Sequence, residues 1–400
     1  MKHHQRIVAN TNMKTNCAVF LAGLLCATPL SAAERLFPAD AGFVNVNNPP
    51  YNAKGDGVTN DTAAIQAAIL SSEELIKRYS ASLSNLQSLI CKSENYNEMT
   101  APWGLVKQTN RTELRFDGPG NRCADRHSIW GENLHGGSLP EAKASYTSYL
   151  WDGKAYYVYC IGRRLSDNPK QDRLTIDQRP VHANPKVFEM LRITLGAELF
   201  GCFAACSERL DDILLKARRL SVRAQTERIG GSDCYVLEAE TVQGRFVLWL
   251  DPQHGWHLAQ ATMIKKAGDY AGGAQAIRGS FEIREAVKNV RFESIAGVWV
   301  PMEADIEIIH KDPSNPEDFR LNTTSKIHHK KTAVQLDPSF KALRAFMPDD
   351  VRDGTRVTVR DGTPATPITG KIIGESVRQH FYWQRGKIVP ELAPPTQGNQ

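Results

Sequence analysis

Glu238 and Glu240, and likewise Glu303, Asp305 and Glu307, stand two residues apart, which puts each set on one face of an extended strand. Carboxylates so placed are the raw material of glycoside hydrolysis. The residues between them are apolar, however, and alternation of a wet and a dry face accounts for the pattern. His254 and His257 flank a Gly255-Trp256 turn, and His328-His329 adjoin Lys330 and Lys331. Neighbours on a strand point to opposite faces, so His328 and His329 cannot share a metal ion. No third ligand stands at a zinc-like spacing from either pair. No GxSxG, HExxH, phosphate-loop or dinucleotide motif occurs in its required context. The sequence therefore predicts no catalytic residue, no metal and no cofactor, and a non-enzymatic role.

The elements that hold these residues are legible between Leu220 and Ile309. Leu220, Val222, Ala224 and Thr226 alternate with Ser221, Arg223, Gln225 and Glu227. Gly230-Gly231, Gln243-Gly244 and Ala296-Gly297 supply turns. Ile277, Gly279, Phe281, Ile283 and Val287 share one face, with Arg278, Ser280, Glu282 and Arg284 on the other. Met302, Ala304, Ile306 and Ile308 alternate with Glu303, Asp305 and Glu307. Period-2 alternation bounded by turns predicts an antiparallel sheet with one dry face. Short turns leave no room for crossover helices, so sequence neighbours should pair.

Composition narrows the function class. Lys and Arg number 49 against 44 acids, a net charge of +5. Lys2, Arg6 and Lys14 lie in the first 33 residues with no acid, so the remainder is near neutral. That excludes a strongly basic nucleic-acid binder. Residues 1–33 read as an export signal, with Met13 as an alternative start. Lys14 precedes the apolar run CAVFLAGLLCA, and Ser31-Ala32-Ala33 supplies the small residues before cleavage. Leu25 ahead of Cys26 argues against lipoprotein processing. The expected location is periplasmic or secreted, with no transmembrane segment after signal cleavage. Cys91, Cys123, Cys160, Cys202, Cys206 and Cys234 follow the signal; an exported chain permits disulfides among them, and buried free thiols are the alternative.

FVNVNNPPYNAKGDGVTNDTAAIQAAI, over residues 43–69, resembles the N-terminal cap of pectate-lyase-like (pectin lyase-fold) proteins. Tyr51, Lys54, Gly55, Asp56, Gly57, Val58, Asp61 and Thr62 carry the likeness. No repeating rung follows Leu70, so the resemblance implies ancestry and not an intact carbohydrate-cleaving site. Ile65, Ile69, Ile76, Tyr79, Leu83 and Leu86 recur at helical spacing and predict one amphipathic helix from Asp61 to about Asn85. Strands are expected from Leu86 onward, with Asp152-Gly153 as a hairpin turn. The residues from Pro185 to Ala217 have helical spacing, with Ser207 as a helix cap. RLNTTSKIHHKKTAV reads as a polar edge strand.

RTELRFDGPGNRCADRHSIWGE with YLWDGKAYYVY, then VLWLDPQHGWHLAQATM, then RFESIAGVWVPMEADIEI resemble the LolA/LolB-like periplasmic lipoprotein-carrier proteins. Gly354–Val357 and Tyr382–Lys387 match their closing stretch loosely. The resemblance implies a mainly β (α+β) fold, an antiparallel half-barrel whose concave face is covered by helices. It implies binding of a hydrophobic or lipidated ligand, possible lipoprotein or lipid carriage in the cell envelope, and envelope lipoproteins as partners. Trp130, Trp151, Tyr157, Trp249, Phe281 and Trp299 are then the ligand-lining candidates, each of which reads equally as plain core. The alternatives are a polysaccharide-associated protein, suggested by the leader, and a structural envelope protein with a filled barrel. The expected organisation is an export signal (1–33), a truncated pectate-lyase-like leader (34–70), the half-barrel (71–335) and a C-terminal extension of short strands with a disordered tail (336–400).

Overall fold

The computed structural model describes residue 54 and residues 71–102, 104–132, 137–161, 172–178, 194–203, 205–223, 225–271, 275–318, 322–360 and 381–390. The expected export signal, the leader apart from Lys54, and the tail beyond Pro390 lie outside the described residues.

Helix α1 (Ser72–Ser84) opens the described chain. Ser71 is extended (φ −69°, ψ 157°), and its side chain accepts a hydrogen bond from the Glu74 amide at 3.1 Å. This is an N-cap, so the single helix expected from Asp61 to Asn85 does not run through Ser71. A serine hydroxyl competes with helical backbone bonding and starts a helix better than it continues one. Leu75, Ile76, Tyr79 and Leu83 form the buried stripe of α1, each at most 3 % exposed.

Strands β1 (Ser88–Ala101), β2 (Gly104–Asp117), β3 (Arg122–Glu132), β4 (Ser138–Leu139), β5 (Ser145–Trp151), β6 (Tyr156–Ile161) and β7 (Arg173–Asp177) form a first meander. A second contains β8 (Arg219–Val222), β9 (Glu227–Ile229), β10 (Ser232–Thr241), β11 (Gly244–Asp251), β12 (His257–Lys265), a small hairpin of β13 (Tyr270–Ala271) and β14 (Gln275–Ala276), β15 (Glu282–Ile295), β16 (Val298–Lys311) and β17 (Thr323–Leu336). β18 (Arg356–Arg360), β19 (Phe381–Gln384) and β20 (Lys387–Pro390) follow. The pairing order is β10-β11-β12-β15-β16-β17-β1-β2-β3-β5-β6-β7-β18-β19-β20. β8 and β9 both pair with β10, and β4 extends β3. Every pairing in this sheet is antiparallel except β7 with β18. The sheet is open, as a half-barrel requires.

The glycine turns fall where expected. At Gly244 (φ +118°) a Cβ would lie 2.6 Å from the Ile264 carbonyl oxygen, so only glycine allows β11 to approach β12 there. β17 corrects the edge-strand expectation. It lies between β16 and β1 and joins the two meanders. Its lysines and histidines suggested an edge, but Ile327, His329 and Lys331 alternate inward and are all buried.

The helix-bearing face carries the main core. Beneath α1, a 3-10 turn (Ala197–Phe200) and helix α2 (Leu210–Leu215) lie Leu237, Phe246, Leu248, Met263, Val287 and Ile306, each at most 1 % exposed. Each buried side chain of this size contributes about 1.5–3 kcal/mol. The helical reading of residues 185–217 is shortened where the chain is described. Gly196 (φ +83°) and Gly201 (φ +77°) bound the 3-10 turn, and Arg209 rather than Ser207 precedes α2. The Ser207 amide donates instead to Gln243 Oε1 at 2.9 Å. The opposite face has its own cover. Phe340 of helix α3 (Phe340–Leu343), with Ala345 and Phe346, packs on Ala124 and Leu150. Cys91, Cys123, Cys160, Cys202, Cys206 and Cys234 are all free thiols.

Candidate functional site

Side chains alternate along a strand, so the helix-bearing face can be read residue by residue. β1 turns Cys91, Ser93 and Asn95 to it, β2 turns Leu114, Thr112 and Asn110, and β3 turns Cys123, Asp125 and His127. Register lines these up in rows. His329, Asn95 and Asn110 form one, and Lys331, Ser93, Thr112, His127 and Thr147 the next. Cys91, Leu114, Asp125 and Tyr149 form a third. The apolar core thus gives way to a polar belt across β17, β1, β2, β3 and β5, on the same face of the sheet.

The belt is buried and ordered at its β17 end. Asn95 Nδ2 donates to the Asn110 carbonyl at 3.5 Å, which turns Asn95 Oδ1 toward His329 Nδ1, 2.5 Å away. Nδ1 therefore carries the proton, and Nε2 is an acceptor. Burial, aided by the Lys331 and His328 charges, holds the His329 imidazole far below its usual pKa, so it is neutral. Lys331 Nζ donates to the Pro301 carbonyl at 2.6 Å and lies 4.9 Å from the centre of the Phe200 ring. Burial lowers its pKa to about 8, and the Cys91 thiol opposes the shift.

The 3-10 turn closes over this end. Gly196 touches His329 so closely that a Cβ would lie 2.4 Å from Cε1. Glu198, 6 % exposed, hydrogen-bonds Glu285, 1 % exposed, on β15. Burial raises the Glu198 pKa to about 7 against the pull of its hydrogen bonds, so the carboxyl pair holds a proton near neutrality.

The β3 end differs. Asp125 is 0 % exposed, and neither carboxylate oxygen has a hydrogen-bond partner among the described residues. His127 Nδ1 lies 3.6 Å from Oδ2, beyond hydrogen-bond reach. Tyr149 and Tyr156 stack with centroids 6.5 Å apart, and His127 sits 5.6 Å from Tyr149. These three rings are only partly buried, so the aromatic wall beside Asp125 reaches solvent. Burial and then Asp125 push the Cys123 thiol well up, and burial takes Cys91 to about 11. Both thiols are neutral neighbours of a buried carboxylate.

The six aromatic candidates are distributed over both faces. Trp151 is 3 % exposed in the core of the helix-bearing face, and Phe281 packs on the main core. Trp249 packs with Cys234, Val236 and Ala259 on the opposite side of β11 from Leu248 and Leu250, and its indole donates to Glu227 at 2.8 Å. Tyr157 pairs with Leu150 on the face covered by Phe340 and Phe346. Trp130 shares the parity of Ala124 and stacks with Arg111 at 4.9 Å. Trp299 has the phase opposite to Val300 and Met302, and meets His254 edge-on at 4.7 Å. The structure brings Trp151 into the same cluster as Tyr149 and Tyr156 but does not bring all six around one space. Sequence reasoning missed Asp125, His127, Asn95, His329 and Lys331. The only signal was that polar residues occupy both phases of β1 and β3.

Among the described residues no group of three or more His, Cys, Asp or Glu could hold a metal ion. No described helix is long and apolar enough to cross a membrane. On the face opposite the helices, recesses of about 350 Å³ lie beside Tyr96, Asp305 and His328 and of about 410 Å³ beside Arg111, Arg126 and Tyr146.

The chain also has similarities among known proteins. Three solved structures are similar to it at 10–12 % identity. A DUF1329 family protein from Desulfovibrio piger matches at TM-score 0.37 and 12 % identity, over 70 % of this chain and 98 % of that one. A putative outer membrane lipoprotein-sorting protein domain from Vibrio parahaemolyticus matches at TM-score 0.34 and 10 % identity, over 66 % of this chain and 92 % of that one. The MucA/MucB complex structure from Pseudomonas aeruginosa matches at TM-score 0.21 and 10 % identity, over 66 % of this chain and 99 % of that one. No family model matches the sequence, and no curated protein matches it as a relative.

Proposed function

We propose that the chain is an exported, non-enzymatic binding protein that takes a hydrophobic or acylated ligand against the helix-bearing face of its half-barrel. One observation carries this reading. The floor of that face is apolar beneath α1 and again around Leu89, Phe116 and Trp151, with polar side chains from His329 to Asp125 between the two, and among the described residues short segments roof it. An amphiphile has the same division. Each methylene taken from water contributes about 0.8 kcal/mol, so an alkyl chain binds such a floor without directional chemistry. Trp151 and Phe281 are the aromatic candidates on this side. The export reading rests on the pattern of residues 1–33 and agrees with a role in the cell envelope.

Native mass spectrometry with lipid extraction, on protein purified from the periplasm of an exporting bacterium, tests the proposal. The expected result is a co-purifying acyl lipid or lipopeptide, lost when the protein is denatured. A clean apo mass with no uptake of a fluorescent fatty acid would overturn it. A glycan array would then address the polysaccharide-associated alternative.

A further inference from the structure

We propose that the neighbourhood of Asp125 is the head-group end of this ligand site and that the head group it takes is an alkylammonium. The inference rests on the binding function proposed above and adds the ligand's chemical class.

A buried carboxylate without hydrogen bonds is costly, and native proteins rarely keep one without use. Asp125 is fully buried, and among the described residues both its oxygens are unsatisfied. Among the described residues the only basic group within 4.0 Å is His127, which is too far for a hydrogen bond. Lys331 does not serve as the counter-ion, because its ammonium is engaged by the Pro301 carbonyl and the Phe200 ring at β17. The unsatisfied oxygens of Asp125 therefore call for donors and positive charge.

The walls favour the same group. Tyr149 lies opposite Asp125 in the β3–β5 register, stacked on Tyr156 and beside the His127 ring. Aromatic faces carry negative potential and attract ammonium groups, and a desolvated site strengthens that attraction. Leu114 lies opposite Asp125 on the β2 side, and the apolar cluster of Trp151, Phe116 and Leu89 continues from there. A chain attached to the ammonium would run along this cluster. A divalent cation is a poorer fit, since no group of three metal-ligating side chains occurs among the described residues.

The test compares three probes of equal chain length by isothermal titration, each below its micelle concentration: dodecylammonium, dodecanol and dodecyl sulfate. Wild type should bind dodecylammonium about tenfold or more tighter than dodecanol, and dodecyl sulfate more weakly than either. Asp125→Asn should abolish the preference while keeping dodecanol affinity. Its thermal midpoint should be no lower than that of wild type, because an uncompensated carboxylate has been removed. Tyr149→Leu provides a second variant and should reduce the preference several-fold, while Tyr149→Phe retains it. An ethylammonium arm separates sources: tight binding without the chain would contradict a head-group site. Equal affinity for the ammonium and the alcohol in wild type, or a preference surviving in Asp125→Asn, would overturn the inference and leave the binding function standing. Failure of all three probes would overturn both.

Discussion

His329 on β17 and Asn95 on β1 face each other across the seam of the two meanders, with Nδ1 2.5 Å from Oδ1, and the backbone of Gly196 rests on the imidazole ring. The last long strand, the first strand and the 3-10 cover meet at this point. A change at any of the three should disturb the others.

Gly196→Ala is the most direct test of that contact. The residue has φ +83°, and a Cβ would meet the His329 ring at 2.4 Å. Backbone strain and overpacking together should cost about 2–4 kcal/mol. Gly230→Ala, at φ +58° with nothing within 4 Å, carries the strain alone and should cost about 1–2 kcal/mol. Urea denaturation of both variants checks the difference. Equal losses would mean that the cover does not sit on His329.

The carboxyl pair under the cover should make stability depend on pH. Glu198 binds its proton more tightly folded than unfolded, with a folded pKa of about 7. Its contribution is complete at low pH and is lost as pH rises through about 7. His257, brought down to about 4 by burial, and His329 act in the opposite sense, since they resist protonation when folded. They add stability as pH rises toward about 6.5. A Glu198→Gln variant isolates the first effect. Its midpoint relative to wild type should climb between about pH 5 and pH 8, and a flat difference would exclude the shared proton.

Helix α1 should contribute to the stability of the whole sheet. Leu75 is 0 % exposed in the main core, so Leu75→Ala should cost about 2–5 kcal/mol. Leu215 at the end of α2 is 69 % exposed, and Leu215→Ala should change stability by less than about 0.5 kcal/mol. Thermal and chemical melts of both variants provide the check.

The six thiols should titrate as free groups. Thiol counting in denaturant without reductant should find all six, together with any in an unprocessed N-terminus. Under native conditions Cys160 should react first, because the other five are buried. A mass lowered by disulfide formation in the native protein would contradict the free-thiol arrangement.

Much of the sheet was legible because one phase of strands such as β11 and β16 is apolar. The alternation of Met302, Ala304, Ile306 and Ile308 against Glu303, Asp305 and Glu307 appears in β16 as read, and the glycine turns sit where expected. The candidate site was not legible for the same reason. Ser93, Asn95, Asp125, His329 and Lys331 occupy inward positions that the pattern reserves for apolar residues. Polar residues in both phases remove the signal that distinguishes the faces. β17 was read as an edge for its lysines, and only its pairing with β1 reveals that Lys331 is buried. The aromatic candidates failed to sort by face because residue type alone carries no parity. Ser71 starts α1 as its N-cap, where periodicity alone would have run a helix straight through.

Hydrogen exchange with and without a bound amphiphile tests the central claim most directly. Residues 72–84 and 194–203 cover the helix-bearing face, whereas residues 340–346 cover the opposite one. With dodecanol or the lipid recovered by extraction, slower exchange is predicted in the first two segments and none in the third. Protection confined to residues 340–346, or no change anywhere at saturating ligand, would contradict a ligand site on the helix-bearing face.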